Sequence, residues 1–92
     1  MIQSFRNHDL QRLWEDGKPL PHKTLIAGNI LRVLDLIVAA SAPYDVAFYG
    51  IRFDEWPQDA TQRYGVMVTD HWLISFAWRD GDAIEIDLER LD

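Results

Sequence analysis

The chain has no cysteine, so disulfides and thiolate metal sites are excluded and the redox compartment is left open. It also has no stretch approaching the roughly 20 apolar residues of a membrane-spanning helix. The opening Met1-Ile2-Gln3-Ser4-Phe5 lacks the basic start and long apolar run of a signal peptide. A soluble, cytoplasmic protein with no membrane association is expected. Positive charge is scarce: the formal net charge is -6, which argues against broad affinity for nucleic acid, whose phosphates reward Lys and Arg. No Gly-rich phosphate loop is present. His8, His22 and His71 have no metal-binding spacing, so neither a cofactor nor a metal is expected. Repeats, low-complexity tracts and domain boundaries are missing too. The 92 residues, 48% of them hydrophobic, are expected to form one domain spanning 1–92 with a modest core.

What the chain does have is a patterned closing segment. Tyr64-Val66-Val68, Trp72-Ile74-Phe76-Trp78 and Ile84-Ile86-Leu88 alternate with polar residues, the mark of half-buried strands. Thr69-Asp70-His71 and Arg79-Asp80-Gly81-Asp82 supply the turns of an antiparallel meander. Acidic charge collects here. Residues 1–50 hold five basic and five acidic side chains, whereas 51–92 hold four basic and ten acidic. Alternation accounts for most of these acids as a solvated strand face.

The first half reads as helical. Ile2 to Phe5 can form a short opening strand. Asn7 is an N-cap, Leu10, Leu13 and Trp14 share a face, and Gly17 is the stop. Lys18-Pro19-Leu20-Pro21 is a rigid connector. A longer helix follows from about His22, with Ile26, Ile30, Val33, Leu34 and Ile37 as its apolar stripe. Gly28 costs that helix something and is expected where it packs closely on the first. Ser41-Ala42-Pro43 ends it, Ala42 to Gly50 is a loop, and Ile51-Arg52-Phe53 starts another strand. The expected architecture is α+β: two N-terminal helices on one face of a twisted, mostly antiparallel sheet of four to five strands.

Several segments, in this order, resemble the HigB branch of the RelE/ParE toxin superfamily, the toxins of type II toxin–antitoxin pairs. They are Met1-Ile2-Gln3-Ser4-Phe5 with Leu10 and Leu13, Leu31-Arg32-Val33-Leu34-Asp35, Ala39-Ala40, and Pro43-Tyr44-Asp45-Val46. Ile51-Arg52-Phe53, Arg63-Tyr64-Gly65-Val66-Met67-Val68 and Asp70-His71-Trp72-Leu73-Ile74-Ser75-Phe76 complete the set. The resemblance runs end to end. It implies a RelE-like fold, a helix-turn-helix antitoxin of the HigA kind as partner, and metal-independent cleavage of mRNA on the ribosome. In that reaction the ribose 2′-hydroxyl attacks the adjacent phosphate. It needs a proton acceptor, a donor for the leaving 5′-oxygen, and cations for the phosphate.

The chain departs from the family where that chemistry lies. Asp54 replaces a histidine, and Pro57, Gln58 and Ala60 replace the basic and glycine positions of the next loop. Leu73 replaces the strand arginine, and Arg90-Leu91-Asp92 replaces a tail ending in tyrosine-histidine. A substitute set would use Asp54 or Glu55 as base, Arg63 or Arg52 as phosphate clamp and His71 as acid, with Asp92 at the position of the tail histidine. Each has an ordinary reading beside it. Arg52 and Arg63 are ion-paired strand residues among carboxylates, His71 is a solvated turn residue, and Asp87 with Glu89 is a solvated edge. Trp72, Phe76 and Trp78 could stack on bases, but they share the face of Ile74 and read more simply as core. Trp56 is the tryptophan expected at the surface, where it would suit a partner contact.

Three functions remain open: a ribosome-dependent mRNA endonuclease; a toxin-fold protein that has lost cleavage but keeps antitoxin binding and an autoregulatory role; and a small acidic module for another protein partner.

Overall fold

In a computed structural model, the described residues are 2–18, 26–49, 53–56 and 63–90, with the backbone alone for 47–49 and 53–56. Helix α1 spans His8–Asp16 and α2 spans Ala27–Ala39. Four strands follow: β1 (Phe53–Trp56), β2 (Arg63–Met67), β3 (Trp72–Arg79) and β4 (Asp82–Arg90). They pair antiparallel in the order β1-β2-β3-β4.

Local chemistry sets the ends of α1. The Asn7 side chain accepts a hydrogen bond from the Leu10 N–H at 2.9 Å, satisfying one of the donors that a helix start leaves free. At the other end Gly17 takes φ 70°, and its N–H returns to the Leu13 carbonyl at 3.1 Å. Glycine reaches that left-handed region without a Cβ penalty. The β3–β4 hairpin turns on Asp80 and Gly81, both at positive φ (54° and 85°). That pair matches the two-residue turn favoured between twisted strands.

Leu10 and Leu13 from α1 and Ile30, Val33, Leu34 and Ile37 from α2 form one core. From the sheet, Val66, Ile74, Phe76, Ala83, Ile86 and Leu88 join them. Tyr64, Trp72 and Trp78 pack partly buried against it, so the even-numbered residues of β3 face the helices as their alternation requires. The α+β class and the helices on an antiparallel sheet agree with expectation.

Several local expectations need correction. Ile2 to Phe5 do not make a strand. They touch β4 through two isolated parallel bridges, Ile2 to Ala83 and Phe5 to Ile86, because β4 carries an irregularity between these points. Residues 43–49, expected as loop, form a 3-10 helix. The Asp45 carboxylate ties down its entry by accepting the Ser41 and Ala42 N–H groups at 2.8 and 3.0 Å. A Cβ at Gly28 would meet nothing within 4 Å among the described residues, so this glycine marks no close contact with α1. β3 is buried on both faces over residues 73–77 rather than half-buried. The expected helix start at His22, the connector from Pro19 and the strand residues Ile51 and Arg52 lie outside the described residues.

Candidate functional site

The irregularity in β4 builds the most unusual chemistry in the molecule. Ser75 pairs with Asp87 and Ala77 with Ile84, so Phe76 alone faces the two residues Glu85 and Ile86. This two-against-one arrangement is a β-bulge. Glu85 adopts φ 51°, an uncommon conformation for a residue with a Cβ. The N-terminal segment stabilises it: the Glu85 N–H donates to Ser4 Oγ at 2.8 Å and the Ile86 N–H to the Ser4 carbonyl at 3.1 Å. The Ile86 carbonyl in turn accepts the Arg6 N–H at 2.8 Å.

The bulge turns the Glu85 carbonyl toward the strand side where Arg63 begins β2. Arg63 Nη2 donates to that carbonyl at 2.8 Å and to Ser75 Oγ at 2.9 Å. One guanidinium therefore links three strands and satisfies Ser75, whose residue is fully buried. The Arg63 side chain is only 12% exposed. Its Nε and Nη1 are buried and have no hydrogen-bond acceptor among the described residues. The Glu85 carboxylate lies 3.9 Å from Nη1 and 3.7 Å from Arg6 Nη2, an ion-pair separation too long for a hydrogen bond.

Burial sets the electrostatics. Desolvation holds the Arg63 pKa below its ordinary value, and the positive charge of Arg6 pushes it the same way. Glu89, Glu85 and Asp87 act in the opposite sense. Glu85 thus lies between the two guanidiniums, and the charges of Glu89 and Asp87 also reach Arg63. A phosphate entering this setting meets the like charge of these carboxylates.

Arg63 and His71, the candidate catalytic residues whose side chains are described, are not gathered in one place. Arg63 sits at the start of β2. His71 lies in the exposed turn after its far end, its own N–H donating to Thr69 Oγ1 at 3.1 Å. The four residue steps of β2 alone are about 13 Å at strand rise. The Asp54 backbone pairs with Gly65, two residues along from Arg63, and its side chain lies outside the described residues, as do Arg52 and Asp92. The side chain of Trp56 is also outside them. Leu73 is 3% exposed and stands opposite Glu89. Arg90, at the end of β4, lies with its guanidinium carbon 5.7 Å from the centre of the Trp72 ring. Among the described residues no group of three His, Asp or Glu side chains could hold a metal, and no helix is long and apolar enough to cross a membrane.

Ser75, Arg6 and Glu85 escaped the reading of the sequence. Ser75 carries a usable signal, being the one polar residue in the run Trp72–Trp78. Glu85 carries none, since Ile84-Glu85-Ile86 alternates as an ordinary strand does. No protein-family model matches this chain, and no curated protein does either.

Proposed function

We propose that this chain is the toxin-side member of a type II toxin–antitoxin pair, of the HigB/RelE kind, acting in the cytoplasm. In this reading it retains a helix-turn-helix antitoxin as its partner, and mRNA cleavage is weak or lost. The ordered motifs that resemble the family support the first part. Two helices against an antiparallel meander are also compatible with a RelE-like fold.

The loss of cleavage rests on one observation. Arg63 and His71, the candidate phosphate clamp and acid, stand at opposite ends of β2, and Arg63 Nη2 is already bound to Ser75 Oγ and the Glu85 carbonyl. General acid–base catalysis needs proton donors and acceptors within hydrogen-bond reach of the reacting atoms. Here the candidate acid, His71, lies at the other end of β2.

Expression in a bacterium, with and without a small helix-turn-helix protein encoded beside this chain, tests the proposal. Co-purification of the two proteins without growth arrest by this chain alone is the expected result. Growth arrest relieved by the partner would instead support a working endonuclease. Failure to co-purify would favour an acidic module for another protein.

A further inference from the structure

The pair of arginines around Glu85 is incompletely satisfied by the protein's own groups. Arg63 Nε and Nη1 are buried donors without an acceptor among the described residues, a costly condition for a charged group. The nearest ion-pair partner, one oxygen of Glu85, lies between Arg63 and Arg6 at 3.9 and 3.7 Å. It bonds neither. The Arg6 and Glu85 side chains are open to solvent, at 50% and 47% exposed. The Glu85 backbone also sits at φ 51°, so the carboxylate is delivered there by a conformation that its residue type does not favour.

From this geometry we infer that Arg6 and Arg63 form a seat for an external carboxylate, with the Glu85 carboxylate as its internal placeholder. An Asp or Glu side chain of a bound protein segment replaces Glu85 charge for charge. A phosphate dianion brings additional negative charge into the field of Asp87 and Glu89, whose charges act on Arg63. Guanidinium groups hold carboxylates through directed, charge-assisted hydrogen bonds, and Arg63 has donors to spare. The source of the carboxylate, an acidic residue of a protein partner, rests on the partner-binding reading above; the seat itself does not.

Acetate titration of the whole chain, followed on the Arg63 Nε–H signal by NMR, reads the seat without any partner. Inorganic phosphate at equal ionic strength serves as the second arm. The wild-type signal is expected to shift saturably with acetate and less with phosphate. Glu85→Gln, which removes the placeholder charge, is expected to tighten acetate binding about fivefold, the scale of one exposed ion pair. Glu85→Gly should do the same while easing the backbone, so a folding defect in one variant does not decide the result. An Arg63 signal indifferent to acetate in all three proteins overturns the inference. Preference for phosphate over acetate overturns it as well. Loss of co-purification with a helix-turn-helix protein, with acetate binding intact, would count against the partner reading alone.

Discussion

Arg63 and Glu85, 22 positions apart in the chain, meet through a side chain and a backbone carbonyl, with Nη2 donating to the carbonyl oxygen at 2.8 Å. The contact depends on the bulge, which exposes a carbonyl on the strand beyond β3. It also depends on Ser75, whose hydroxyl accepts from the same nitrogen at 2.9 Å. Fold and candidate site thus share one fixture. Whatever the face binds, it binds around a guanidinium that already stabilises the sheet.

Ser75→Ala tests that fixture. The hydroxyl is buried and bonded to a charged group, and hydrogen bonds of that kind contribute about 2 kcal/mol. Urea unfolding should shift to a lower midpoint by roughly that amount with an unchanged slope. An unchanged midpoint would mean that Arg63 does not depend on this acceptor.

Glu85 should tolerate glycine and resist a β-branched residue. Glycine adopts positive φ freely, whereas valine at 51° is strained. Glu85→Gly and Glu85→Val are expected to differ by about 2 kcal/mol in favour of glycine, read as separate urea midpoints. Equal stabilities would contradict a left-handed Glu85.

Gly28→Ala should stabilise the protein. The added methyl meets open space, and the helix gains about 0.5–1 kcal/mol from the lower entropy of its unfolded state. A rise in melting temperature is the expected result; a fall would place an unseen neighbour against α2.

The limits of the sequence follow from range. Asn7, Gly17 and the Asp80-Gly81 turn were legible because each acts on backbone within a few residues, where cap and turn chemistry is nearly self-contained. The core stripes of α2 and the even residues of β3 were legible through periodicity. The bulge was not, because Glu85 holds its positive φ through Ser4, 81 positions away, and local pattern has no access to that partner. Ser75 stands out as the one polar residue of Trp72–Trp78, but its partner Arg63 lies on the neighbouring strand, beyond the reach of local pattern. Of the candidate site, Arg63 stands out in the sequence as an ion-paired residue or a clamp. Its role as a cross-strand link emerged only with the register.

The departures from the toxin pattern yield a gain-of-function prediction. Leu73→Arg together with Asp92→His restores two of the family's positions, and Leu73 stands opposite Glu89, a carboxylate able to pair with the new cation. The double variant should slow bacterial growth more than the parent does, once circular dichroism shows that it folds. A folded variant without effect would mean that these two positions are insufficient.

In the proposed function this chain binds a partner without cutting RNA efficiently. Mapping mRNA 5′ ends after adding the protein to translating ribosomes separates that role from cleavage. The ends should be indistinguishable from those of the untreated control. New ends clustered within codons at the ribosomal A site would contradict that role.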